Sequence, residues 1–365
     1  MAIRKLLIAN RGEIAVRIAR ACSELGIRSV AIYSEADQYS LHVKKADEAY
    51  QISKDPLSGY LNPHHIVNLA VETGCDALHP GYGFLSENAE LAAICEQRGI
   101  RFVGPSAEAI AAMGDKTQAR QTAIAAGVPV TPGSDGNLKD VEDAVVQAAE
   151  IGYPVMLKAT SGGGGRGIRR CDNEKELRQN YERVISEATK AFGSAEVYLE
   201  KCIIEPRHIE VQILADGHGN VVHLYERDCS IQRRNQKLIE LAPSPQLSES
   251  QREHIGELAK RVARQCGYVN AGTVEFLLDH DGSFYFMEMN TRVQVEHTIT
   301  EEITGVDIIK AQIRIAAGEP LGLTQDDIHY RGFAAQFRIN AEDPKNGFLP
   351  SFGRIRGHQP RPIEI

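Results

Sequence analysis

Short apolar runs alternate with helical periodicity through the first hundred residues. Lys5-Leu6-Leu7-Ile8-Ala9 reads as a strand, and Ile14, Ile18, Ala21 and Leu25 follow at helical spacing, which together predict a βα unit. Further strands are expected over 29–33, 76–79 and 101–103, separated by helices over 66–72 and 87–97. Repeated βα alternation implies an open, mostly parallel sheet. The turn Asn10-Arg11-Gly12-Glu13 lies where such sheets bind nucleotides, but one glycine is a poor phosphate cradle, and a structural turn is favoured there. From residue 115 the pattern changes. Helices are expected over 116–126 and 141–151, flanking a Pro/Gly-rich stretch at 128–136. A strand at 155–158, a glycine loop and a helix over 174–192 come next, capped by Asp172-Asn173. Long strand candidates follow, joined by turns at Asp216-Gly217-His218-Gly219-Asn220 and Asp279-His280-Asp281-Gly282, so antiparallel pairing should dominate. No repeat period or low-complexity run longer than four glycines appears.

Composition narrows the function classes. The 365 residues include 49 acidic and 41 basic side chains, a formal charge of −8. Such a surface repels a polyanion, so no nucleic-acid partner is expected. The length suits two or three domains, and 42% hydrophobic with 25% charged residues is an ordinary globular composition. No apolar stretch approaches the roughly 18 to 20 residues of a membrane span, and 6–9 is too short for a signal-peptide core, so a cytoplasmic protein is expected. Seven cysteines are scattered without a C-x-x-C pair; they read as small buried residues rather than zinc ligands or disulfides.

Two segments carry candidate chemistry. Gly162-Gly163-Gly164-Gly165-Arg166-Gly167 formally fits a dinucleotide fingerprint, but Ile168-Arg169-Arg170-Cys171 reads as a second strand where that fingerprint needs a helix. Strand, glycine loop and strand make a flap whose backbone N–H groups could lie on a polyphosphate, with Lys158 adding charge; a plain surface hairpin is the alternative. No P-loop motif is present. The second segment is 275–296. If Leu278 pairs with Ser283, Glu275 shares a sheet face with Glu288, one diagonal step away, roughly 7 to 8 Å at Cα. If the strand stays extended, Asn290, Arg292, Gln294 and Glu296 continue that face. A solvated strand face gives the same alternation, but the chemical mixture argues against it. Glu275, Glu288 and Asn290 are hard oxygen ligands suited to Mg²⁺ on ATP phosphates, leaving Arg292 and Glu296 for chemistry. Gln232-Arg233-Arg234-Asn235-Gln236-Lys237 supplies cations.

Taken together, these residues resemble the ATP-grasp superfamily, and within it the biotin carboxylase family. The resemblance runs over essentially the whole chain. It rests on Ile8-Ala9-Asn10-Arg11-Gly12-Glu13-Ile14-Ala15, His79-Pro80-Gly81-Tyr82-Gly83-Phe84-Leu85-Ser86-Glu87-Asn88, the glycine flap, Glu226-Arg227-Asp228-Cys229-Ser230-Ile231-Gln232-Arg233-Arg234 and Glu288-Met289-Asn290-Thr291-Arg292-Val293-Gln294-Val295-Glu296-His297. It implies an enzyme, a ligase that uses MgATP and bicarbonate to carboxylate biotin carried on another protein, through carboxyphosphate. It also implies an open parallel-sheet, Rossmann-like domain over 1–114, an ATP-grasp α+β domain over 115–320 with a flap around 134–204, and part of a β-rich C-terminal domain over 330–365.

The resemblance further assigns residues. Lys116, Lys158, Gly164, Gly165, Glu200, Lys201, Ile203 and His208 would contact ATP, with Gln232 and Asn235 near the nucleotide. Glu275, Glu288 and Asn290 would hold two Mg²⁺ or Mn²⁺ ions. Lys237, Arg292, Gln294 and Val295 would surround bicarbonate, Glu296 would be the general base and Arg338 would stabilise the biotin enolate. The implied partners are a biotin carboxyl carrier, a carboxyltransferase subunit and, at full length, a second copy. None of the five methionines flanks a lysine on both sides as in a biotin carrier, so biotin must arrive on a partner.

Three departures from the family pattern stand out. Asn235 takes a position often filled by His, and Thr298 stands where acetyl-CoA carboxylase members commonly have Pro. The run His297-Thr298-Ile299-Thr300-Glu301-Glu302-Ile303-Thr304 points to a pyruvate carboxylase type of complex. Family members continue past Ile365, so a shortened chain is expected. Another ATP-grasp ligase, or a nucleotide-binding subunit without turnover, are the other readings.

Overall fold

β1 (Lys5–Ile8) buries Leu6, Leu7 and Ile8 completely, because the central strand of a parallel sheet is covered on both faces and reads as an unbroken apolar run. The computed structural model describes residues 2–134, 136–160, 167–193 and 195–351. After β1 come α1 (Gly12–Glu24), β2 (Arg28–Ser34), α2 (Leu41–Lys45), β3 (Glu48–Ser53), α3 (Pro63–Glu72), β4 (Ala77–His79), α4 (Ala89–Gln97), β5 (Arg101–Phe102) and α5 (Ala107–Gly114). The strands form a parallel sheet in the order β3-β2-β1-β4-β5, as the βα alternation predicts. Asn10 fills the crest of that sheet by donating to the carbonyls of Pro80 and Tyr82 at 2.7 and 2.8 Å. That supports the structural reading of the 10–13 turn.

One face of the sheet packs on α3 and α4 through Leu7, Val30, Ile32, Ile66 and Leu91. The other face does not stop at the sheet's own helix. Ile14 and Ile18 of α1 join one apolar cluster with Leu214, Val222, Val293, Ile309 and Ile313 from the second half of the chain.

That second half contains α6 (Lys116–Ala125), α7 (Val141–Ile151), β6 (Val155–Ala159), β7 (Ile168–Cys171), α8 (Glu174–Phe192), β8 (Val197–Lys201), β9 (Arg207–Ala215), β10 (Val221–Arg233), β11 (Gln236–Ala242) and α9 (Glu249–Gln265). β12 (Asn270–Leu278), β13 (Phe284–Asn290), α10 (His297–Thr304), α11 (Ile308–Ala316), β14 (Ala334–Phe337), β15 (Glu342–Asp343) and β16 (Leu349–Pro350) complete it. A small antiparallel sheet, β7-β6-β8, carries its own core against α7 and α8. The main antiparallel sheet runs β13-β12-β9-β10-β11-β14 and packs on α9 through Val211, Ile255, Leu258 and Val274. β14 is thus an edge strand of this sheet, and β15 and β16 pair separately.

The hydrophobic pattern above does not single out α9, although Ser248 and Gln251 form a capping box at its start. Five cysteines are buried as expected, while Cys202 and Cys266 are partly exposed. Among the described residues no helix is long and apolar enough to cross a membrane.

Two local expectations are corrected. Leu278 faces Phe284, not Ser283, because Gly282, with φ of 89°, closes a shorter turn in which Asp279 and Ser283 are hydrogen-bonded at 2.9 Å. A bulge between Phe276 and Glu275 then sets Glu275 directly opposite Glu288, where a diagonal was expected. The extended strand also ends at Asn290, and 291–296 turn into α10, so Arg292, Gln294 and Glu296 reach the site from a loop.

Candidate active site

The register lines up charges across four strands. Glu288 on β13 faces Glu275 on β12, Glu275 faces Glu210 on β9, and Glu210 faces Arg227 on β10. Paired residues on neighbouring strands share a face, so the row is a direct product of antiparallel geometry. Lys237 on β11 reaches over it. Its ammonium donates to Glu275 Oε1 at 2.9 Å, to Glu296 Oε1 at 2.8 Å and to Glu210 Oε2.

Burial opposes charge throughout this row, but pairing decides the outcome. Burial pushes Lys237 toward neutrality, yet Glu210, Glu275 and Glu296 outweigh it and hold the ammonium well above its ordinary range. Burial likewise opposes ionisation of Glu275 and Glu210; Lys237, with His208 for the first and Arg227 for the second, keeps both carboxyls below theirs. Glu288 goes the other way: burial and the charge on Glu275 push it up, and Lys116 offsets only part of that. Lys116 itself is lowered by burial.

Around Glu275 the polar side chains are closely held. Its Oε1 also accepts from Asn290 Nδ2 at 2.8 Å and Gln294 Nε2 at 3.0 Å. His208 Nε2 lies 2.7 Å from Oε2, off the hydrogen-bond direction, and Gln232 Nε2 approaches His208 Nδ1 at 3.2 Å. Burial lowers the His208 pKa, but Glu275 outweighs it and raises the net value.

Glu296 precedes α10 and is buried, with its second oxygen accepting from Arg338 Nη2 at 2.9 Å. Arg338 Nε donates to Glu240 Oε1 at 2.6 Å, so the guanidinium bridges two carboxylates. Arg292 donates to Asn290 Oδ1 at 2.9 Å through Nη2 and to Glu87 Oε2 at 2.9 Å through Nε. Glu87 comes from the loop before α4, so the first region supplies part of the site wall. Val295 is half-buried between Gln294 and Glu296.

On the small sheet, Lys158 pairs with Glu200, and Arg120 lies 3.7 Å from the same carboxylate. Ile203 follows β8 and is half-buried. The Lys201 side chain, next to Glu200 in a strand, points to the opposite face and donates to the carbonyls of Gly152 and Tyr153 at 2.7 and 3.1 Å, which leaves its backbone on the Glu200 side. Asn235 is exposed at the tip of the β10–β11 hairpin, where Arg234 and Asn235 both have positive φ. Asn suits that left-handed backbone well. Gly164 and Gly165 lie outside the described residues. β6 and β7 pair as the two arms of the expected flap, with Lys158 opposite Ile168.

Sequence reasoning missed Glu87, Glu210, Arg227 and Glu240. A signal existed for Glu210: His208, Glu210 and Gln212 alternate with Ile209, Val211 and Ile213, the same pattern that marked Glu275 and Glu288.

Glu275, Glu288 and Asn290 offer oxygen donors on one face, with the two carboxylates directly opposite each other, so the donor set fits a divalent cation of the Mg²⁺ class. Cations from several elements converge around it: Lys116 of α6 and Lys158 of β6 on one side, Lys237 of β11 with Arg292 and Arg338 from loops on the other. A site built this way defines an ATP-grasp type of ATP-dependent ligase.

Comparison with known proteins agrees. Residues 2–110 match the biotin carboxylase N-terminal domain, and 115–324 match the ATP-binding domain described for the carbamoyl-phosphate synthase L chain. The 2-oxoglutarate carboxylase small subunit of Hydrogenobacter thermophilus is 59% identical over 352 residues, covering 96% of this chain and 75% of that protein. Biotin carboxylase 1 of Bacillus subtilis is 56% identical, covering 98% and 80%. The crystal structure of the biotin carboxylase domain dimer of the H. thermophilus enzyme, in complex with MgADP, ADP and bicarbonate, superposes with a TM-score of 0.93 at 58% identity, covering 96% of this chain and 77% of that one. The chain belongs to the biotin carboxylase family, ATP-dependent carboxylases built on the ATP-grasp fold.

Proposed function

We propose that this chain catalyses ATP-dependent carboxylation of biotin with bicarbonate, and that its described side chains divide the work as follows. Lys116, Lys158 and His208 hold the nucleotide, with Glu200 fixing Lys158; Ile203 and the backbone of Lys201 line its base, and Gln232 and Asn235 lie at its edge. Glu275, Glu288 and Asn290 would hold Mg²⁺, which supplies charge neutralisation on the phosphates when bound. Lys237, Arg292, Gln294 and Val295 surround bicarbonate. Glu296 takes its proton, so that the bicarbonate oxygen can attack the terminal phosphorus as the bond to the leaving ADP breaks, giving carboxyphosphate, and the fixed cations stabilise the charge that develops. Arg338 then faces the enolate of the biotin ureido group.

The observation that carries this reading is the position of Glu296. A buried carboxylate between Lys237 at 2.8 Å and Arg338 at 2.9 Å, beside three oxygen ligands, is placed to take a proton among cations that hold an anion. ADP release measured with and without bicarbonate and free biotin tests it. Turnover should require bicarbonate and rise with biotin; turnover indifferent to bicarbonate overturns the reading.

Partners and setting belong to the same proposal. A biotin carrier delivers the substrate, a carboxyltransferase consumes the product, and a second copy completes the functional unit. The Thr298 hydroxyl donates to Gln336 at 2.9 Å, a bond that a Pro at this position cannot make. Together with the 59% identity to a 2-oxoglutarate carboxylase subunit, it favours a 2-oxo-acid acceptor such as pyruvate over an acyl-CoA. Free, mostly buried thiols suit a reducing, cytoplasmic setting.

A further inference from the structure

Arg227 is fully buried, at 0% exposure, on the central strand β10. An arginine has five N–H donors in a rigid fork, and here all five are used. Nε donates to Glu210 Oε1 at 2.5 Å; Nη1 donates to Gln212 Oε1 and Thr300 Oγ1, both at 2.9 Å; Nη2 donates to Thr273 Oγ1 at 3.2 Å and Gln294 Oε1 at 2.7 Å. These acceptors come from β9, β12, the loop after β13 and α10.

Stability alone does not explain such a residue, since a buried ion pair can be replaced by packed apolar side chains at little or no loss. What the fork does is orient two groups of the site. By binding Gln294 Oε1 it fixes which way that amide points, so the N–H end faces Glu275 and the anion site. By binding one oxygen of Glu210 it leaves the other for Lys237. Gln294 sits on a loop, and its amide is tied to the sheet at both ends, its oxygen by Arg227 and its nitrogen by Glu275.

We propose that Arg227 is a positioning residue for bicarbonate, acting through the amide orientation of Gln294 and through the Glu210–Lys237 pair. The inference rests on the assignment of Gln294 and Lys237 to bicarbonate. Lysine in its place keeps the charge but cannot reach the same acceptors with a planar fork.

The test is a double-mutant cycle on the full chain, reading KM for bicarbonate and KM for ATP separately. R227K should raise the bicarbonate KM about tenfold, with ATP KM nearly unchanged. Q294A should raise it too, and R227K/Q294A should cost clearly less than the two single effects added together, because Arg227 then has no amide to orient and acts only through the Glu210–Lys237 pair. Additive effects, or equal changes in both KM values, overturn the positioning role. An unchanged bicarbonate KM in Q294A instead overturns the assignment of Gln294. Should R227K fail to fold, T273V and T300V replace it, each removing one acceptor from the same guanidinium. T273V, which loosens the nitrogen that holds Gln294, should raise the bicarbonate KM more than T300V; wild-type values in both overturn the inference.

Discussion

Glu275 and Glu288 stand directly opposite each other on adjacent strands, and of the two it is Glu288 that is driven toward its neutral form. Lys237 and His208 already neutralise the first, so the second carries the uncompensated charge. E288Q should therefore raise stability without divalent ions, and should lose most of the added stability that Mg²⁺ gives the wild type. Thermal unfolding with and without Mg²⁺ checks both; a mutant still stabilised fully by Mg²⁺ would remove Glu288 from the ligand set.

Glu296 touches two cations and no other carboxylate. E296Q should lower bicarbonate-dependent turnover by about 10² to 10⁴, the usual range for a general base, while ATP binding by calorimetry stays near wild type. Equal loss of both would make the residue structural.

Glu87 anchors Arg292 from the first region and also accepts from the Thr291 amide at 3.2 Å. Truncating it frees a guanidinium that the site needs in place. E87A should cut bicarbonate-dependent turnover about tenfold, consistent with losing one charged hydrogen bond, with KM for ATP little changed. A proportional rise in the ATP KM would show that the loop supports the nucleotide instead.

Glu240, at 0% exposure, holds Arg338 from behind, and among the described residues its second oxygen has no hydrogen-bond partner. E240A leaves Arg338 with Glu296 alone, and biotin-stimulated turnover should fall more than bicarbonate-dependent turnover without biotin. E240Q, which keeps an acceptor for Nε, should recover most of the loss. Equal losses in the two mutants would mean the charge, not the hydrogen bond, is what matters.

Two buried histidines set a pH dependence of stability. Burial pulls His297 down to about 4 and His79 to about 3, from about 6.5 in an unfolded chain. Between those values the unfolded chain binds more protons than the folded one, so stability is complete above about pH 6.5 and falls as pH drops toward 4. His297 alone accounts for about 3 kcal/mol over that window. Urea unfolding at pH 7.5, 6.5 and 5.5 should show the decline, and H297N should make it shallower while His79 still contributes; a mutant with the wild-type slope would exclude His297 as a source.

The parallel sheet was legible because its central strand is apolar on both faces and its helices keep a clean 3.6 period. The shared face of Glu275, Glu288 and Asn290 was legible because these side chains break a largely apolar pair of strands. The direct facing of the two carboxylates was not, since it depends on a bulge and on a turn one residue shorter than Asp279-His280-Asp281-Gly282 suggests. Glu210 and Arg227 escaped notice for a different reason. A charge in a strand reads as solvent-facing until the register shows that its opposite number lies across the ladder. Glu87 and Arg292 are 205 positions apart, a separation that no local pattern spans.

The core of the β7-β6-β8 sheet, from Leu138 to Leu199, shares no residue with the cluster that joins α1 to Val293 and Ile313. Two regions that share apolar side chains must melt together, whereas a lobe with its own core can open alone. Hydrogen exchange should accordingly divide the chain unevenly: amides of β1 and β9 protected to the same depth, amides of β6 and β8 released earlier. Lys158 and Glu200 sit on that separable lobe, while Glu275, Glu296 and Arg292 sit on the fused body. Any displacement of one against the other would therefore leave both cores intact.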